Sequence, residues 1–423
     1  LYKCANTRSS LDDINIQRTT SISTLIKILN SLTVENNSII SVLKKITQNT
    51  NFISVEDISS KVGLSSNNRN IVTTSYRGLI KSLAEYKKSQ ASEGDSSKGS
   101  GTISMIASEL GDIRNSLVVI SLSSQPDLDA FLLVQNKKDS AIFKNLSSLW
   151  EMGNNAPQPV KKWTSQLVNI TTRVLNDMAM KEINMRWQKG PLSYYDSYLK
   201  DRYPIRLESR KESSTKSFIE FFKKDGVMQK FIKENMSSLI EKSSNSSGYV
   251  WKKYYGEPFA YDENFLEMIN SFNMIENMFF SNDGIGFKLF LTPEFLAKDL
   301  SVLTINYANK SYNYANGPQE DFIIEWPTTN INKSPVTISY TSKENETNMI
   351  NFDGEWGLFK FLEKGSISYN DEKGVNIFKI YNDKNILAEY ILKTSSLDDK
   401  FSFDTFKKLH VFDNIDNSRE VNK

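Results

Sequence analysis

Cysteine and histidine are nearly missing from this chain, with one of each in 423 residues. With Cys4 alone, no intrachain disulfide forms and thiolate metal clusters are excluded. A chain almost free of cysteine suits an oxidising compartment, where a stray thiol is a liability. His410 has no histidine or cysteine companion, which removes His-paired nucleophiles and most metal sites. No run of about 18 apolar residues occurs, so no segment reads as a membrane span. Neither charge is in surplus: Lys and Arg number 52 against 50 Asp and Glu, a net +2. That removes the broad basic field that nucleic-acid binding requires. The first residue is Leu1, no signal peptide is visible, and Lys3 before Cys4 is a poor acylation context. The expectation is a soluble piece of a longer protein whose address is set upstream, with no cofactor and no metal.

The length predicts two to three domains, with cores large enough to stand without disulfides. The first two-thirds carry helical periodicity. Short apolar stripes run over Ile39–Ile46 and Ile71–Tyr86. A polar stretch, Ser89–Gly101, reads as a linker. Helical patterns resume at Ile103–Leu122 and Leu128–Leu149. The strongest helix spans Val160 to Gln188, where Leu167, Ile170, Val174, Leu175 and Met178 share one face; Gly190-Pro191 is expected to stop it. Further helices are predicted at Ser217–Lys223, Val227–Ile240 and Glu263–Phe280. Past Asn282-Asp283-Gly284 the apolar period changes to two: Phe287, Leu289, Leu291; then Leu303, Ile305, Tyr307; then Val336, Ile338, Tyr340. A hairpin is expected from Val375–Tyr381 and Ile386–Leu392 around Asn382-Asp383-Lys384-Asn385. The predicted class is α+β, an N-terminal helical region followed by a C-terminal antiparallel β-sandwich. The expected boundaries are 1–202 for a helical domain, 203–283 for a second helical subdomain and 284–423 for the sandwich.

The motifs that suggest chemistry are weak. Gly94 to Ser100 has the look of a phosphate loop, but Ser100 holds the place where the amine must follow the second glycine. Ser41 and Lys44 have the spacing of a Ser-Lys nucleophile pair on one helix face, in a chain where both residues are abundant. Asp398, Asp399 and Asp404 cluster without the glycine and terminal glutamate of a calcium loop. Each reads better as a solvated surface or cap, and no catalytic residue is assigned. The tyrosines at 194, 195, 198 and 203, and the cluster Trp251, Tyr254, Tyr255, read as packing before interface.

The most informative stretch is Gly354-Glu355-Trp356-Gly357-Leu358-Phe359, about thirty residues after Glu325-Trp326-Pro327. It reads as a strand end, a glycine turn and a short apolar helical turn, with aromatics sized to plug a β-domain. It falls in an ordered series: Leu32 to Leu43; Leu175 to Trp187, then Tyr198 and Arg202-Tyr203-Pro204; Phe218, Phe221-Phe222, Gly226, Phe231 and Ile232; Trp251; Ile275 and Phe279-Phe280; Phe290 to Pro293; Tyr314; Gly317-Pro318; Trp326-Pro327. This series resembles the C-terminal periplasmic region of the IcmF/TssM family, inner-membrane scaffold proteins of type VI secretion systems. Ile205 stands where the family's corner has Phe, and the final Phe and Cys-Pro segment is not recognisable. These departures are similar to a divergent member, of Francisella type or type IV-associated.

The resemblance implies a periplasmic, non-enzymatic scaffold, part of an inner-membrane-anchored protein in an envelope-spanning complex. Its implied partners are an outer-membrane lipoprotein (TssJ-like), an inner-membrane DotU/TssL-like protein reached through the rest of the protein, and further copies of itself. The shared glycines, prolines and aromatics shape turns and cores, so they transfer no catalytic residue. Within the β region, the hairpin carrying Tyr307, Tyr312 and Tyr314 is the expected lipoprotein contact. The competing reading is a secreted cell-wall or glycan-active protein with a carbohydrate-binding sandwich.

Overall fold

The computed structural model describes residues 21–33, 98–156, 160–244, 248–255, 257–258, 263–280, 286–318, 320–328, 335–383, 385–395, 403–407 and 409–413. The predicted helices at 39–46 and 71–86, Ser41 with Lys44, most of the 89–101 stretch, and Asp398 with Asp399 lie outside them. The chain divides into two compact units, residues 1–183 with 253–259, and residues 184–252 with 260–423.

The first unit is helical. Among its described residues are α1 (Ile22–Thr33), α2 (Lys98–Ser121), α3 (Pro126–Gln135), α4 (Ala141–Asn154) and α5 (Val160–Trp187), whose last turn passes into the second unit. α2 starts at Lys98, inside the tail of the predicted linker, and the expected helix at 128–149 is two helices separated at residues 136–140. Leu110, Ile113, Leu117 and Ile120 form the buried stripe of α2, packed on α1 and α4. A short hairpin, β3 (Lys253–Tyr254) with β4 (Glu257–Pro258), also belongs to this unit. The Lys137 ammonium sits 3.5 Å from the centroid of Tyr254 and 5.3 Å from that of Phe143, a cation–π seat. Beside it, Trp150 and Tyr255 lie 5.5 Å apart.

α4 and α5 meet where Gly153 faces Thr164. A Cβ at residue 153 would fall 2.0 Å from the Thr164 Oγ1, and Thr164 is buried with its hydroxyl bonded to the Val160 carbonyl at 3.0 Å. A β-branched side chain tied to its own helix has no room to turn aside. Gly153→Ala is therefore expected to destabilise the first unit by roughly 1–3 kcal/mol. A lower urea midpoint for far-UV unfolding checks it; an unchanged midpoint contradicts the packing.

The second unit joins helices to a β-sandwich. Gly190-Pro191 does not stop the long helix: the chain continues as a π-turn, Gln188–Leu192, into α6 (Ser193–Tyr198). The wider turn carries Pro191, which lacks an amide hydrogen, through without ending the helix. The predicted helix 227–240 is likewise shorter. It is α8 (Val227–Phe231) followed by a second π-turn, Ile232–Met236, before Ile240 enters a strand. The Asn235 amide donates to the Phe231 carbonyl at 2.9 Å, satisfying a group that the wide turn releases. α7 (Thr215–Phe222) and α9 (Glu263–Phe279) are the other described helices ahead of the sandwich, and β1 (Ile240–Lys242) pairs with β2 (Tyr249–Trp251). The Asn270 side chain of α9 holds β2 by accepting from the Tyr249 amide at 2.6 Å and donating to its carbonyl at 3.1 Å.

Glu276 of α9 is mostly buried. Burial holds its carboxyl above the ordinary value, and the Gln229 amide that donates to it offsets this only in part; Lys242 and Lys224 act in the same direction as the amide and Asp225 opposes them. A carboxyl whose folded pKa is raised binds more protons folded than unfolded across that window, so stability falls as pH rises through it. Glu276→Gln, which keeps the acceptor for Gln229, is expected to raise the melting temperature at pH 7. The gain should shrink as pH drops below the carboxylate range. A variant equal to the parent at pH 7 contradicts the assignment.

The sandwich consists of two antiparallel sheets, β10-β9-β6-β7 and β11-β12-β13-β5-β8. The strands are β5 (Phe287–Leu296), β6 (Leu300–Tyr307), β7 (Lys310–Tyr314), β8 (Phe322–Trp326), β9 (Val336–Ser342), β10 (Thr347–Phe352), β11 (Ser366–Asn370), β12 (Val375–Asn382) and β13 (Asn385–Thr394). The period-two residues are the core: Leu289 opposite Ile324, Leu291 opposite Phe322, and Ile305 opposite Ile338 are all buried. α10 (Gly357–Lys364) lies between β10 and β11 and packs on both. The fold class is α+β as expected.

Candidate partner interface and its aromatic mounting

Tyr307, Tyr312 and Tyr314 lie on the β6–β7 hairpin, closed by Ala308 at φ +51°. β7 is an edge strand, and its neighbour across the sandwich, β8, is the edge of the other sheet. The tyrosines close this side. The Tyr307 hydroxyl donates to the Glu325 carbonyl at 3.1 Å, and the Tyr312 hydroxyl donates to the Ile323 carbonyl. Tyr312 stacks on Phe322 with ring centroids 5.0 Å apart. Burial, helped by the charge of Glu325, raises the Tyr312 hydroxyl above its ordinary pKa. Tyr314 turns inward toward Tyr390, 6.5 Å away. Tyr307 and Tyr314 are buried, so what the hairpin offers to solvent is its tip at Ala308 and Asn309, the outer edge of β7 and the exposed Lys310, Ser311 and Asn313. Asn313 is tied across the hairpin to Thr304 at 2.7 Å, and Lys288 pairs with Glu325 at 2.9 Å on the adjoining rim.

The sandwich stands on an aromatic mounting. β10 ends in a turn with Gly354 at φ +92°, and α10 follows, as the glycine–tryptophan stretch predicts. Trp356 sits 4.7 Å from Phe359, 5.1 Å from Phe218 and 5.7 Å from Trp326. Phe279 of α9 stacks on Phe359 at 5.2 Å. Three polar links tie the same turn to the loop entering α7. The Trp356 indole donates to the Ser213 carbonyl at 2.6 Å. The Glu355 carboxylate accepts from the Thr215 amide at 2.7 Å and the Thr215 hydroxyl at 2.8 Å, placing negative charge at the start of α7, where Ser214 is the cap. Lys360 pairs with Glu212. Each link joins residues about 140 apart in sequence. Sequence reasoning identified the aromatics and missed Glu212, Glu355 and Lys360; the Ser-rich start of α7 was the only local signal.

His410 is exposed on the segment after β13, and Asp404 opens the short turn α11 (Asp404–Lys407). Among the described residues, no three His, Cys, Asp or Glu side chains are grouped to hold a metal ion. No helix among them is long and apolar enough to cross a membrane.

Two family models match the chain. The type VI secretion protein IcmF helical domain matches residues 178–284, and the IcmF C2-like domain matches residues 289–396. A curated relative, type VI secretion system component TssM1 of Pseudomonas aeruginosa, is 20% identical over 214 residues. That match covers 50% of this chain and 19% of the relative, so the chain corresponds to about a fifth of that protein's length. Among solved structures, a chain of a type VI membrane complex aligns with a TM-score of 0.64 at 15% identity, covering 97% of this chain and 82% of the other. A chain of a type VI secretion system membrane core complex aligns with a TM-score of 0.59 at 16% identity, covering 96% and 81%.

Proposed function

The chain belongs to the IcmF/TssM family, and on that premise we propose that it is the periplasmic part of a structural scaffold in a type VI secretion membrane complex. The observation that carries this reading is the mounting. Trp356 on Ser213, Glu355 on Thr215 and Lys360 on Glu212 fasten the β-sandwich to the helices before it. Aromatic packing and polar links at one joint make a stiff connection, which suits an element that holds position under load. The segment 203–283 then acts as the helical support and 284–423 as the docking module. Other copies assemble beside it, and an inner-membrane DotU/TssL-like protein is met through the rest of the polypeptide.

The docking partner is an outer-membrane lipoprotein, met at the β6–β7 hairpin. Tyr307, Tyr312 and Tyr314 hold the hairpin's shape, while the β7 edge, Ser311 and Asn313 make the contact, by main-chain pairing and short polar side chains. The test is capture from envelope extract on the immobilised full chain. A retained outer-membrane lipoprotein is expected, with capture falling about tenfold or more in the Ser311→Lys, Asn313→Lys double variant, as for loss of a central contact. Retention of sugar polymer without lipoprotein overturns the scaffold reading in favour of a glycan-binding one. Unchanged lipoprotein capture by the double variant moves the contact elsewhere.

A further inference from the structure

Beyond β13, residues 403–407 and 409–413 pack back against the helices and lie in a groove. Among the described residues, 403–407 and 409–413 join neither sheet. They make one helical turn, α11, and lie along the walls supplied by the end of α5, α7, α9 and α10. Phe406 is 2% exposed, stacked on Phe279 at 5.2 Å and 6.0 Å from Phe218. Phe403 packs 6.0 Å from Phe359. Leu409 is buried beyond them. The main chain is then caught at its far end: the Trp187 indole donates to the Phe412 carbonyl at 2.9 Å, and the Gln188 amide donates to the Asp413 carbonyl at 3.4 Å.

These contacts have the form of a peptide in a recognition groove. Apolar anchors recur every third residue (Phe403, Phe406, Leu409), and two side-chain donors read carbonyls at one end. The walls are parts of elements that pack on one another without the segment. The family match to the C2-like domain stops at residue 396, so the segment lies outside it. Residues 396–402 intervene, about 25 Å of chain at full extension. No strand pairing is broken when the segment leaves.

We propose that this groove is a binding site for a Phe-x-x-Phe-x-x-Leu segment, and that a second copy of the chain supplies the same segment in exchange for the chain's own. The second copy is the fitting partner because it carries the anchors and carbonyls that the groove already accommodates. Exchange of an identical element links neighbouring subunits with no new surface. The inference deepens the self-assembly part of the proposed function and rests on it for its setting. The binding itself is measured on the purified chain alone, so failure of lipoprotein capture and failure of exchange are separate results.

The experiment is done on the full chain with a specific protease site placed within residues 396–402. After cleavage, the fragment bearing residues 403–413 is expected to stay bound through gel filtration. A labelled synthetic peptide of residues 401–415 should displace it, and the same peptide with Phe406→Ala should bind at least tenfold more weakly. In the uncut chain, Phe406→Ala weakens the chain's own segment, leaves the groove walls intact, and is expected to increase capture of the labelled peptide. Deleting four residues from 396–402 is expected to shift the uncut chain from monomer to dimer by light scattering. Equal binding of both peptides, or no binding to either cut or Phe406→Ala protein, overturns the groove. Peptide binding without a dimer in the shortened chain overturns exchange between copies.

Discussion

Trp356→Ala will lower the unfolding free energy of the second unit by about 3–5 kcal/mol. The side chain is fully buried, and three aromatic rings lie within 5.7 Å of it by centroid distance. Alanine leaves a cavity that Phe218, Phe359 and Trp326 are too rigid to fill, because each is already seated against other rings. It also removes the indole hydrogen from the Ser213 carbonyl, and an unsatisfied buried acceptor costs about 1–3 kcal/mol by itself. Trp356→Phe separates the two contributions: it retains a ring and loses the donor, and should fall between parent and alanine. Met349, 63% exposed on β10, is the control, with Met349→Ala expected within about 0.5 kcal/mol of the parent. Urea unfolding followed by tryptophan fluorescence measures all three. A loss below about 1 kcal/mol for Trp356→Ala removes the mounting as a source of rigidity, and the scaffold reading with it.

Gly286→Ala should be about as damaging, for a different reason. A Cβ at residue 286 lies 2.0 Å from the Trp326 carbonyl oxygen and 2.5 Å from the Pro327 Cδ, and the backbone stands at φ +154°. The obstacle is main chain, so relief requires the end of β8 to move, and Trp326 to move with it. Overpacking of this kind costs about 1–3 kcal/mol, and a disfavoured backbone adds about 1–3 kcal/mol. The expected result is a lower denaturation midpoint with altered near-UV circular dichroism, as Trp326 shifts against Phe287 and Phe359. An unchanged spectrum and midpoint would mean that β5 enters the sheet by another path.

Much of this fold was legible in the chain itself. The period-two residues from Phe287 to Tyr340 gave the strands and their buried face, since alternation is a local property. The start of α5 and the turn at Gly354 were likewise readable. Family membership rested on landmarks that are turn-formers and core plugs, and the structure places Trp326, Trp356, Phe218 and Phe279 in one cluster. Gly190-Pro191 misled because a π-turn accommodates what an α-turn rejects. The links from Glu212, Glu355 and Lys360 were invisible because their partners are chosen by tertiary approach, across about 140 residues. The tyrosines of the hairpin were found as aromatics on a turn. That their hydroxyls point at the opposite sheet depends on how the two sheets face, which no single strand encodes.

The hydroxyl contacts of Tyr307 and Tyr312 have a consequence for solubility at high local density. Unprotected β-strand rims template the addition of further chains and seed fibres. Here two phenol groups plug carbonyls at the margin of β8, so polymer growth from that rim must first evict them. That border is thereby kept from zipping into cross-β deposits.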